Sequence, residues 1–129
     1  MANLIDLVGR ILISLLFLIS AYNKFFSVDG TMSWMEGYGV PGFLIYPVIV
    51  LEIILPLFII IGYYSRISAG LLAIFCFATA FIFHFDFLDQ MQTISFLKNI
   101  GLAGGFLLIV ANGTREWSLE NNKKRYVRL

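Results

Sequence analysis

The chain has one cysteine and one histidine among its 129 residues. Cys76 therefore has no partner for an internal disulfide or a C-x-x-C pair, which excludes a dithiol relay within the chain. A zinc site built from protein alone takes three or four ligands, so no metal centre is expected. Charge is also scarce. Asp, Glu, Lys and Arg make up 13% of the residues, against roughly 25% in a soluble domain. They nearly cancel, to a net charge of +1, so nucleic acid is not an expected partner.

Apolar residues fill the space, at 60% of the chain with a mean hydropathy of +0.88. That exceeds what a soluble core of this length uses. The expected class is an all-α polytopic membrane protein, a single domain over 1–129 that forms a bundle of four transmembrane helices. The predicted spans are 4–26, 43–62, 66–84 and 94–112, followed by a basic tail at 113–129. The first span is too long for a secretory h-region and has no A-x-A site, so it reads as a retained helix.

Glu52 is the most informative residue. It lies alone among apolar neighbours in 43–61. Fifteen Phe, Leu, Ile and Val residues there favour insertion by roughly 4.5–9 kcal/mol, whereas a central charge costs about 2.5–3.5 kcal/mol. The segment inserts, and its carboxylate must face the protein interior and find a partner. Pro47 and Pro56 do not prevent this, because neighbours in a membrane bundle can satisfy freed carbonyls.

Basic residues set the expected orientation. Arg115, Lys123, Lys124, Arg125 and Arg128 follow the last span, and the loop 63–66 carries Arg66. Both termini are therefore expected to be cytoplasmic, with the acidic loops carrying Asp29, Glu36, Asp86 and Asp89 on the outer side. Trp34, Tyr38 and Tyr46 at one end, and Tyr63, Tyr64 and Trp117 at the other, suit interfacial belts. The connection 27–41 reads either as a short amphipathic helix on the outer surface or as a loop anchored by Trp34.

Spacing by three and four groups the unusual residues onto faces. These are Arg10, Ser14, Phe17, Ala21 and Lys24 in the first span, then Glu52, Pro56, Ile59 and Tyr63 in the second. The third span gives Arg66, Gly70, Ala73, Phe77, Ala80 and His84, and the fourth Lys98, Gly101, Gly105, Leu108 and Asn112. Arg10-Ile-x-x-x-Leu-Leu and Arg66-Ile-x-x-x-Leu-Leu also hint at a parallel two-helix repeat.

The candidate polar interior comprises Arg10, Lys24, Glu52, His84, Lys98 and Asn99. Glu52 is expected to pair with Arg10, whose guanidinium can hold a carboxylate with two hydrogen bonds, and Lys24 or Lys98 is the alternative partner from above. Lys24, His84 and Lys98 together would suit an anionic or carbonyl-bearing ligand. The plainer readings are snorkelling anchors for Lys24 and Arg66, an interfacial polar residue for His84, caps for Lys98 and Asn99, and a register-setting ion pair for Glu52.

In this order the motifs resemble the DoxX family of small membrane proteins, named for a subunit associated with thiosulfate–quinone oxidoreductase. The likeness rests on Arg10-Ile, on Phe17-Leu-x-Ser-Ala-x-x-Lys24-Phe, and on Glu52 with Pro56. It continues through Gly62-x-x-x-Arg66 and the His84 region to Phe96-Leu-Lys98-Asn99-Ile-Gly-Leu-x-Gly-Gly105 and Ser118-Leu. The resemblance implies a four-helix inner-membrane protein and, for some members, redox chemistry beside a soluble oxidoreductase. Related quinone-linked thiol oxidases use a cysteine pair, which this chain lacks. The expected role is thus a membrane subunit of a quinone-linked redox system, with quinone as the candidate cofactor and none held by the chain itself. The expected partners are the bilayer, a soluble oxidoreductase and further copies of the chain. The alternatives are a non-catalytic scaffold and, as an oligomer, a small-solute or proton pathway.

Overall fold

The computed structural model describes residues 1–120. The last four basic residues of the tail, Lys123, Lys124, Arg125 and Arg128, lie outside them. The ordered elements among the described residues are helical, with no strand: α1 (Ala2–Phe25), α2 (Val28–Gly37), α3 (Ile45–Ile61), α4 (Ser65–Phe83) and α5 (Gln90–Asn112). Counting the 3-10 turn Gly42–Leu44 with α3, four are long and apolar enough to cross a membrane. The chain is a polytopic membrane protein.

Local chemistry sets the element ends. Asp89 caps α5 by accepting the Met91 N–H at 2.9 Å. The cap starts α5 four residues before the predicted boundary, because Gln90, Gln92 and Thr93 give the first turn no apolar signal. Pro47 lies in the first turn of α3, where its missing N–H has no helical acceptor to lose. Between α1 and α3 the chain forms α2, so the helical reading of 27–41 is the correct one.

α1 packs against α3, α3 against α4, and α4 against α5. Phe17 and Phe106, with ring centroids 5.4 Å apart, close the bundle between α1 and α5. Gly105 permits that closure, since an added Cβ would stand 2.9 Å from the Ile13 side chain. The main core joins Phe17, Ile59, Leu72, Cys76 and Phe106 with small residues of α4 and α5. A second core, under α2, joins Ala21, Met35, Ile45 and Ile49. Trp34 of α2 stacks on Phe83 of α4 at 4.5 Å, so α2 roofs one end of the bundle.

Two predicted faces need correction. The α1 stripe is buried as expected through Arg10, Ser14, Phe17 and Ala21. On α4, however, the interior carries Ser65, Ser68, Ala69, Leu72, Ala73, Cys76 and Ala80, and Phe77 is exposed. On α5 it carries Ala103 and Phe106, leaving Lys98, Gly101, Leu108 and Asn112 on the exposed side. Ala73 and Ala80 of the predicted α4 face and Gly105 of the predicted α5 face do point inward, but following the charged and amide residues rotated both faces. Close packing of α4 on α5 selects small side chains for the seam, and long ones turn outward.

The α3–α4 turn is held by residues 113–120, which run back beneath it as a strap. Gly62 has φ +73°, and a Cβ there would stand 2.1 Å from Ser118 Cβ. Gly62→Ala is expected to combine backbone strain of about 1 kcal/mol with displacement of the strap. Gly39, at φ +82° with open space around it, supplies the control. In detergent melts, Gly62→Ala should lower the midpoint several-fold more than Gly39→Ala. Equal shifts would mean that strap contact at Gly62 adds nothing.

Candidate functional site

Polar groups in the bundle collect into two clusters on the α1–α3 seam. At the roofed end, Lys24 Nζ donates to Glu52 Oε1 at 2.7 Å and to Ser20 Oγ at 2.6 Å. Glu52 is 1% exposed and Lys24 23% exposed. The pair therefore joins an enclosed carboxylate to an ammonium that still reaches the surface. Near the opposite end, Arg10 (2% exposed) donates from Nε to Asp6 Oδ2 at 3.0 Å. Its Nη1 donates to the carbonyls of Ile59 at 3.1 Å and Ile60 at 2.7 Å, and its Nη2 to the carbonyl of Trp117.

The expected Arg10–Glu52 pairing does not form. Helical side chains lean toward their own N-terminus. On α1 this tips Arg10 away from the roof, onto Asp6 one turn back, and tips Lys24 down into the seam. On antiparallel α3 it tips Glu52 up toward the roof. Glu52 and Lys24 lean toward each other, whereas Glu52 and Arg10 lean apart. Arg10 instead satisfies carbonyls at the last turn of α3, where helical donors run out.

The other candidates stand elsewhere. His84 Nδ1 lies 2.8 Å from Gln92 Oε1 and ties the end of α4 to the start of α5. Asn99 donates to Thr79 Oγ1 at 3.2 Å across the α4–α5 seam. Lys98 is exposed. Lys24, His84 and Lys98 thus do not form the shared positive pocket expected of them. Arg66 lies over Gly113, at the C-terminal end of α5, where a cation complements the helix dipole.

Several polar residues of this framework were not singled out from the sequence. Asp6 holds Arg10 and also accepts the Arg115 N–H at 3.2 Å. Its signal was present, since Asp6 and Arg10 are four apart on one helix face. Glu120 is the hub of the strap. Its carboxylate accepts from the Ser65 N–H at 3.2 Å, from the Ser65 hydroxyl and from Thr114 Oγ1 at 2.7 Å, and its N–H donates to the Gly62 carbonyl at 2.8 Å. A carboxylate thereby caps the start of α4. No local pattern announces it, because Glu120 lies 55 residues from Ser65.

No solved structure matches the chain. Two curated relatives from Escherichia coli (strain K12) do. Inner membrane protein YqjF is 39% identical over 120 residues, covering 92% of each chain. Inner membrane protein YphA is 31% identical over 121 residues, covering 88% of this chain and 86% of its own. The family model described as DoxX matches residues 5–85, a stretch that holds Asp6, Arg10, Lys24 and Glu52 and so both charge clusters. With the four spans and the full-length relatives, that match establishes that this multi-pass membrane protein belongs to the DoxX family.

Proposed function

We propose that the chain is an inner-membrane subunit of a quinone-linked redox system, and that the Lys24–Glu52 pair receives the quinone head group. One observation carries this reading. An ammonium has three N–H donors, and Lys24 uses two of them, on Ser20 and Glu52. The third remains for an incoming carbonyl oxygen at the partly exposed end of the pair. Trp34, Tyr38 and Phe83 form an aromatic group at the same end, suited to a planar ring. Electrons would come from a soluble oxidoreductase, and the chain's part is to bind and orient.

The test uses Trp34 as reporter in a Trp117→Phe background, titrated with a short-tailed quinone in detergent. Saturable quenching that is lost in Lys24→Met is the expected result. Quenching linear in quinone, or unchanged by Lys24→Met, would refute the site. The second reading, a non-catalytic scaffold, draws on the strap, which fixes residues 113–120 against the bundle; binding of a soluble partner without any quinone response favours it.

The same reading puts both termini in the cytoplasm, as the basic residues after α5 suggest, and inner-membrane residence agrees with the names of both relatives. In a Cys76→Ala background, an impermeant maleimide added to intact cells should label Asp86→Cys and spare Glu116→Cys. The reverse pattern inverts the topology.

A further inference from the structure

Between the two charge clusters one polar atom is left over. Ser14 lies on the buried stripe of α1 at 0% exposure. Its Oγ is the one buried side-chain nitrogen or oxygen without a hydrogen-bond partner among the described residues. A serine or threonine inside a helix commonly returns its hydroxyl to a carbonyl one turn back. Thr79 does so, to the Phe75 carbonyl at 3.0 Å; Ser14 does not.

Across the seam is a carbonyl short of a donor. Arg10 reaches Ile59 and Ile60, and Ala21 packs with Ile45 and Ile49. That antiparallel register sets Ser14 level with the turn from Glu52 to Pro56, both of them buried on α3. Pro56 has no N–H, so the Glu52 carbonyl loses its usual helical donor. Helix carbonyls point toward the C-terminus, which directs this oxygen along α3 toward the level of Ser14. An unpaired hydroxyl and an under-satisfied carbonyl thus share one stretch of the seam, with no direct bond between them.

We propose that a single water molecule is bound here, accepting from Ser14 Oγ and donating to the main-chain carbonyl of Glu52. Buried waters sit where two or more otherwise unsatisfied polar groups converge. The water lies on the seam between the Lys24–Glu52 pair and the Arg10 cluster. It also explains how Pro56 is tolerated next to a buried carboxylate, since the freed carbonyl regains a donor. This site is independent of quinone binding at the roofed end.

Ser14→Ala and Pro56→Ala, alone and combined, test the proposal through melting midpoints of the intact protein in detergent. A bridged hydroxyl predicts that Ser14→Ala lowers the midpoint, by about 3–5 °C. In the Pro56→Ala background residue 56 supplies an N–H to the Glu52 carbonyl and the water loses a partner, so the Ser14→Ala shift should fall to less than half. A hydroxyl that is merely orphaned predicts the opposite sign, because its removal relieves a buried unsatisfied group; a raised midpoint overturns the proposal, as does an equal loss in both backgrounds. Ser14→Cys covers the case in which Pro56→Ala does not fold. It keeps the volume but is a weak donor, so a loss like that of Ser14→Ala supports the water, and full recovery shows that only packing was at stake.

Discussion

Lys24→Met is expected to destabilise the bundle by about 3–5 kcal/mol, the usual cost of removing one partner from a buried ion pair. The substitution leaves Glu52, at 1% exposure, without its cation, and no other ion pair to it forms among the described residues. Arg10 cannot replace Lys24, because it leans the other way and is already engaged with Asp6 and three carbonyls. Glu52→Gln should cost less, about 1–2 kcal/mol. It leaves Lys24 behind, but Lys24 stands one residue from the end of α1 and is 23% exposed. Its long stem lets the ammonium swing out to the surface, an escape the carboxylate does not have. The double variant Lys24→Met/Glu52→Gln removes both charges, closes the cycle with the two single variants and should lose less than their sum. Equilibrium unfolding in mixed micelles, followed by tryptophan fluorescence, measures all three. Strictly additive losses would mean that the two side chains do not depend on each other.

That asymmetry bears on function. A pair with one member buried and the other at the surface can exchange the surface member's contacts at little cost. A ligand carbonyl that binds Lys24 need not expose Glu52 to lipid. The buried carboxylate holds the ammonium inside the seam, and the ammonium is the partly exposed member that the proposed quinone site uses.

The membrane-spanning architecture was legible in the sequence because bilayer length and backbone satisfaction leave few alternatives. The buried stripe of α1 and the buried state of Glu52 were legible for a related reason. A charge amid apolar residues can only face inward, and Arg10, Ser14, Phe17 and Ala21 follow at helical spacing. Of the partners the sequence offered for Glu52, the preferred one, Arg10, was wrong and the alternative, Lys24, was right, because spacing gives the face of a residue but not the direction in which its side chain leans along the axis. α4 and α5 failed differently. Ala73, Ala80 and Gly105 were rightly read as interior, but Lys98, Gly101 and Asn112 were placed with them, although a lysine about six residues below the level of the His84–Gln92 contact can snorkel outward. Glu120 and the strap were hidden altogether. Their contacts join segments far apart in sequence, and no periodicity carries that information.

The strap also determines what Arg10 does for the protein. Arg10 touches α1 through Asp6, the last turn of α3 through Ile59 and Ile60, and the strap through Trp117. Arg10→Met is therefore expected to cost about 3–5 kcal/mol, since it leaves Asp6 with the Arg115 N–H alone and strips donors from three carbonyls. Arg10→Lys should fall between wild type and Arg10→Met. It keeps a cation near Asp6, but its compact ammonium cannot fan over carbonyls on two segments as a guanidinium does. Local opening separates this from simple loss of stability. If Arg10 holds the strap, chymotryptic cleavage after Trp117 should speed up in Arg10→Lys under conditions where the bundle itself stays folded. Glu120→Gln should speed the same cleavage with a smaller global loss, because it loosens the strap at Ser65 and Thr114 while leaving Arg10 and Asp6 in place. Cleavage at Trp117 that tracks global unfolding alone, with the same rank order as the melting midpoints, would show that Arg10 stabilises the bundle without latching the strap.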